Sequence, residues 1–175
     1  ANYPGWFSKD AIGAGTPFIV YWPALINSKY VKETLHINGK EIEVLPTNQL
    51  LDHDSKKPTI DVNVPELNEE DTEEIQFGRL IGARSGDKGG CANLGVWVKN
   101  DNSYSFLYHF LTVEKLKELL SDLADYHIER FDFPNIKAVN FYIHGILGDG
   151  ASSNTKVDAL AKSLGEYLRA KKVSV

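Results

Sequence analysis

The sequence predicts an α+β two-layer sandwich, with helices on one face of an antiparallel sheet, preceded by a small β appendage. Three observations lead there. The elements of the second half run β–β–α–β–β–α. Val113, Leu116, Leu119, Leu120 and Leu123 fall on one helical face at i, i+3, i+6, i+7 and i+10. Residues 136–144 alternate, with Val139, Phe141 and Ile143 on one side and Ala138, Asn140, Tyr142 and His144 on the other. Two helices segregated from four strands make a sheet with one covered face.

The appendage, residues 1–62, opens loop-rich and then offers an apolar strand at 18–22. Leu35-His36-Ile37 and Glu41-Ile42-Glu43-Val44 alternate about Asn38-Gly39, the strongest short hairpin signal. Residues 63–74 hold six acidic side chains and Pro65, and read as a solvated linker to a domain at 75–175. In that domain, 75–83 and 92–99 read as strands flanking a glycine-rich loop, with a shorter strand at 104–110. Thr112 is a plausible N-cap, with Glu114 in the first turn to favour the helix dipole. Strands follow at 126–133 and 136–144. After a second glycine-rich loop, Val157, Leu160, Ala161, Leu164, Tyr167 and Leu168 mark a helix ending near Ala170. With the strand at 75–83 as the missing last strand, the sheet is ferredoxin-like with its strand order circularly shifted.

Composition bounds the function. A chain of 175 residues, 42% apolar and 25% charged, suits one domain or one domain with an appendage. A single cysteine makes no internal disulfide, which excludes a disulfide-built secreted scaffold and fits a cytoplasmic protein. The best apolar stretch, 17–26, is interrupted by Pro23 and falls short of the ~18 residues of a membrane span. No signal peptide or arginine-rich transit segment opens the chain, and no membrane partner is expected. The lack of any Met, a first one included, suggests a piece of something longer. Residues 1–74 hold 6 basic and 13 acidic side chains, and residues 75–175 hold 13 and 11. With no clustered basic stripe, nucleic acid is not an expected partner.

Chemistry concentrates in two stretches. In the first, residues 82–95, Gly86, Gly89 and Gly90 let backbone amides approach a ligand. Arg84 offers a planar fork and Lys88 a point charge for a carboxylate or phosphate, and Asp87 could orient either cation or accept a proton. Ser85 and Asn93 add polar atoms beside them. The spacing is neither a Walker loop nor a dinucleotide loop, and a tight turn with an internal Arg84–Asp87 ion pair explains it equally well. In the second stretch, residues 144–154, Gly148, Gly150 and Ser152 lead into a helix, so that Ser152, Ser153 or Asn154 caps it or an anion sits there. His144, at a strand end, is a candidate acid or base. Asp158 reads as a dipole-complementing acid. Cys91 reads as a small buried residue, and Ser85 lacks a hydrolase elbow. Asp52-His53-Asp54 lacks any recognised ligand spacing, and no metal is expected. The early aromatics Tyr3, Trp6, Phe7, Phe18, Tyr21 and Trp22 suggest a packing surface for a partner domain.

At these loops the chain resembles the acyclic terpene utilisation (AtuA-like) proteins, in their C-terminal ferredoxin-like domain. The resemblance rests on R-S-G-D-K-G at 84–89, then Ala92-Asn93-Leu94-Gly95. It continues in Asn140-Phe141, Leu147-Gly148-Asp149-Gly150, a serine, and Asp158 with Lys162 four residues on. The match spans about 77–172. Gly90-Cys91 and Asp149 depart from the family's usual pattern. The resemblance implies a larger domain upstream and an association with the breakdown of branched terpenoid acids through CoA thioesters; it defines no activity. Two readings follow. In one, the glycine loops converge at one end of the sheet and bind a carboxylate or CoA thioester, with His144 and Asp87 in catalytic roles. In the other, the domain is a non-catalytic module that forms a homo-oligomer or docks on the domain upstream.

Overall fold

The computed structural model describes residues 15, 17, 19, 20, 22–45 and 73–175. They fall in two compact units. In the smaller, strands β1 (Glu33–Ile37) and β2 (Lys40–Val44) pair antiparallel with Leu35 opposite Ile42. Asn38 and Gly39 turn the chain at φ 50° and 72°, the left-handed pair that a type I′ turn requires. The hairpin expected about Asn38-Gly39 therefore forms. Leu35, Ile37, Ile42 and Val44 remain 43–49% exposed. Of the strand expected at 18–22, the described positions Ile19, Val20 and Trp22 lie outside any strand. Asp52-His53-Asp54, the early aromatics other than Trp22, and positions 63–72 of the acidic stretch lie outside the described residues.

The larger unit carries a four-stranded antiparallel sheet. Its strands are β4 (Gly82–Lys88), β5 (Cys91–Trp97), β6 (Ile128–Phe133) and β7 (Ala138–Ile143), in the spatial order β4-β5-β7-β6. A crossover of two helices, α1 (Asp101–Phe110) and α2 (Val113–Leu119), joins β5 to β6, and β7 fills the gap between them. This is an α+β, ferredoxin-like sandwich with its strand order circularly shifted: the edge strand β4 comes first in the chain. Helix α3 (Leu164–Arg169) packs beneath β4, and its exit strand β8 (Lys172–Ser174) pairs with β3 (Glu74–Gln76) in a separate ribbon. Among the described residues no helix is long and apolar enough to cross a membrane.

Four local expectations need correction. The strand expected at 75–83 divides: β3 pairs with β8, a single 3₁₀ turn follows at Phe77–Arg79, and the sheet strand starts at Gly82. The glycine-rich stretch read as a loop is mostly that strand. Second, β3 begins at Glu74, inside the acidic stretch, where Lys172 Nζ lies 2.7 Å from its carboxylate. Third, the strand expected at 104–110 is helix α1. Its aromatic residues favour strands, but Tyr104, Leu107 and Leu111 recur at helical spacing and are buried, and the Asn100 side chain accepts from the Ser103 amide at 2.8 Å. Fourth, the helix expected from Val157 begins only at Leu164. Ala161 adopts φ 51°, which a right-handed helix cannot pass through, and Val157 is left exposed. Thr112 does cap α2, accepting from the Lys115 amide at 3.1 Å.

Strand alternation gives the sheet two unlike faces. Ala83, Leu94, Val96, Val139, Phe141 and Ile143 point inward, where Leu107, Leu111, Leu116, Leu120 and Leu168 cover them in one core. Each buried Val, Leu, Ile or Phe among them contributes roughly 1.5–3 kcal/mol. The outward set includes Arg84, Lys88, Cys91, Asn93, Trp97, Asn140, Tyr142, Glu129 and Phe133, all at least partly exposed.

Candidate functional site

The two glycine-rich segments do converge. The Leu147 amide donates to Gly90 O at 2.8 Å, and a Cβ on Gly90 would stand 2.1 Å from Gly148 O. These glycines serve a backbone-to-backbone contact. The Gly148 and Gly150 amides already donate to Gly145 O and Leu147 O, both at 3.0 Å, so they form no amide cradle for an anion. Ser152 is exposed in the turn that follows. Asn154 ties this segment together by donating to Gly150 O at 2.9 Å and accepting from the Lys156 amide. With α3 starting at Leu164, none of Ser152, Ser153 and Asn154 caps a helix.

Because 84–88 is a strand, its side chains part company. Arg84 and Lys88 lie on the open face, both exposed; Gly86 is between them, and Gly89 forms the turn. Ser85 and Asp87 point to the helix-covered face. Ser85 Oγ accepts from the Gly165 amide at 2.9 Å and donates to Lys162 O at 3.3 Å, fastening β4 to α3. Asp87, three residues from Arg84, faces away from it, so the internal ion pair does not form. Among the described residues Lys88 Nζ reaches only Asp87 O, at 3.3 Å. A Cβ on Gly86 would stand 2.9 Å from Lys162 Nζ, so the bare glycine admits Lys162 to the open face. Asn93 Nδ2 donates to Asn140 Oδ1 beside it, at 3.3 Å. Arg84 and Lys162 have no acidic side chain within salt-bridge distance among the described residues.

At the loop end of the same face His144 Nε2 lies 2.7 Å from Glu129 Oε1, and its ring is 4.8 Å from those of His127 and Tyr142. The partner of His144 is Glu129 on the neighbouring strand; Asp87, the other residue expected in a catalytic role, is on the opposite face. Tyr142 is hydrogen-bonded to Cys91, which with partial burial and the negative charge of Glu129 raises its phenol above the usual range. Cys91 Sγ accepts from the Gly145 amide at 3.4 Å and is half-buried. His127 and Glu129 went unremarked in the sequence. Their signal was there: two ligand-type residues at i and i+2 of an expected strand share a face.

On the open face a groove of about 350 Å³ runs past Gly95, Trp97, Phe133, Ile136, Ala138 and Asn140. Gly95 is the cross-strand partner of Arg84. On the helix side a cavity of about 220 Å³ is lined by Tyr126, Leu147, Lys156, Asp158, Ser163 and Tyr167, among others. Asp158 accepts from the Lys162 amide, the Ser163 amide and Ser163 Oγ at 2.6–2.9 Å. Partial burial pushes its carboxyl up, but these hydrogen bonds and the Lys162 charge outweigh that and hold it below the usual range.

The family model of the AtuA ferredoxin-like domain matches residues 75–174. The chain belongs to that family. No curated protein and no solved structure matches it. In this AtuA ferredoxin-like domain the R-S-G-D-K-G string thus divides its labour by strand parity. Arg84, Gly86 and Lys88 shape the open face, whereas Ser85 anchors the helix layer. Asp158 braces the turn from which Lys162 reaches around the sheet edge.

Proposed function

We propose that the open sheet face of this domain binds an amphiphilic anion, a branched carboxylate or its CoA thioester, as the breakdown of terpenoid acids would supply. The observation that carries this is the position of Arg84: without a salt-bridge partner among the described residues, it lies on the open face beside the apolar groove, whose lining includes its cross-strand partner Gly95. A guanidinium takes a carboxylate in a bidentate fork. Lys162 and Lys88 add charge along the same edge, and the Asn93–Asn140 pair adds donors. Exposed ion pairs contribute only ~0–1 kcal/mol each. The chain in the groove must therefore supply most of the affinity, at roughly 0.8 kcal/mol per buried methylene. Asp87 has no part in this reading.

Calorimetric titration of the whole chain with a branched ten-carbon carboxylate and with its CoA thioester tests it. Arg84→Ala is expected to weaken binding by about threefold to fivefold with an unchanged circular dichroism spectrum. Binding that survives Arg84→Ala undiminished, or no binding of either compound, would overturn the reading.

A second reading rests on the exposure of Trp97 (39%), Phe133 (46%) and Ile136 (68%) on the same face. An apolar band of this kind suits association with a second copy or with a domain upstream. Native mass spectrometry decides: a dimer that Trp97→Ala dissociates, and that ignores both ligands, favours association.

A further inference from the structure

The loop end of the open face carries a second chemistry that the groove does not use. His127 precedes β6 and Glu129 lies within it, two residues on, so both point to the open side. The His144 backbone N–H donates to His127 O at 3.0 Å, which sets the two histidines directly across from each other on paired strands. One ligand atom from each of His127, Glu129 and His144 lies within 4.8 Å of the others.

We propose that His127, Glu129 and His144 bind a divalent first-row transition-metal ion, with zinc the ion that best fits two imidazole nitrogens and one carboxylate oxygen. A tetrahedral zinc with bonds of ~2.0–2.1 Å holds its ligand atoms about 3.4 Å apart. The present spread closes by rotation of side chains that are partly exposed, 39% for His144 and 44% for Glu129. His144 Nε2 and Glu129 Oε1 already approach to 2.7 Å and point at one locus; the ion takes the place of the proton they share. Glu129 has no lysine or arginine partner among the described residues, because the adjacent Arg130 faces the other way and pairs with Asp132 at 2.7 Å. The Tyr142 ring packs nearly perpendicular to the His144 ring, at 83° and 4.8 Å between centroids. Three ligands on an open face leave a coordination position for water or a substrate oxygen, the arrangement of a catalytic zinc site.

The test is calorimetric titration of the whole chain, stripped with a chelator, with zinc, and absorption spectroscopy with cobalt(II) as the probe of geometry. One ion per chain is expected, with a tetrahedral or five-coordinate cobalt spectrum. His127→Ala, Glu129→Gln and His144→Ala should each weaken binding by about tenfold or more. The His127 side chain is exposed and, among the described residues, shows only a ring contact to His144, so its variant should fold normally even if His144→Ala does not. Arg84→Ala should bind the metal as the parent does, which separates this site from the anion groove. No binding at micromolar zinc, binding that His127→Ala leaves intact, or binding abolished only by His53→Ala would overturn the proposal.

Discussion

The β1–β2 and β4–β5 hairpins are both closed by two-residue turns, Asn38-Gly39 and Gly89-Gly90, and in both a turn glycine takes a left-handed φ, 72° at Gly39 and 63° at Gly89. Beyond that they differ in what holds them. The first has alternating strands and half-exposed apolar side chains; its form is written in local sequence, and its burial is slight. The second has four glycines and four charged or hydroxyl side chains in and around β4, a composition that argues for a loop. It is nevertheless a strand, because Ala83 and Leu94 are buried under α3, Ser85 is fastened to the helix layer, and β7 pairs along the far edge of β5. A strong local signal can make a hairpin with little core, and a strong core can make a hairpin from residues with no strand propensity.

The sharpest way to break that contrast is to fill the contact on which the second hairpin depends. Gly90→Ala places a methyl 2.1 Å from Gly148 O, a backbone atom that cannot step aside without moving the second loop. It should destabilise the domain by about 2–3 kcal/mol, seen as a lower urea midpoint at constant m-value. A midpoint unchanged from the parent would mean that the two loops do not pack as described.

A smaller effect is expected at the brace behind β4. Asp158→Asn keeps the shape but loses the charge that three donors serve, and should cost about 1–2 kcal/mol at neutral pH. The folded carboxyl is held below its usual range, so its contribution is complete above the unfolded value near pH 4 and is lost as the pH falls through the folded value. Urea midpoints of parent and variant should therefore run parallel above about pH 5 and draw together in acid. Curves that instead diverge as the pH falls would show the wrong sign.

The smallest effect on the sheet domain belongs to the first hairpin. Gly39→Ala strains a left-handed position by about 1 kcal/mol, and amide exchange across β1 and β2 should speed up accordingly. The urea midpoint of the sheet domain should move by less than about 0.5 kcal/mol. A cooperative loss of the whole sheet would show that the hairpin is energetically part of it.

Much of the site's chemistry was legible early, but not its grouping. R-S-G-D-K-G drew notice as a cationic stretch, and Arg84 and Lys88 do share an exposed face. Read as a loop, the same string allowed Asp87 to serve Arg84 and Ser85 to touch a ligand. Read as a strand, parity sends both to the helix side. Asp158 reads in the sequence as a dipole-complementing acid and Lys162 only as part of the family pattern, because nothing in a one-dimensional string shows a lysine passing around a sheet edge into the space left by Gly86. In the sequence His144 stands alone at a strand end, whereas its partners His127, just before β6, and Glu129, within it, lie 15 or more residues away.

By itself the sequence determined the elements whose signals are local: the Asn38-Gly39 turn, the Thr112 cap, the leucine face of α2 and the alternation of β7. Those depend on backbone preference and on periodicity, which neighbours along the chain carry. Only the tertiary structure decided that a glycine-rich string is a strand, that Ala161 stops a helix at φ 51°, and which cations, histidines and carboxylates meet. The physical reason is that burial and strand pairing, worth several kilocalories per element, outweigh propensities of a few tenths of a kilocalorie per residue.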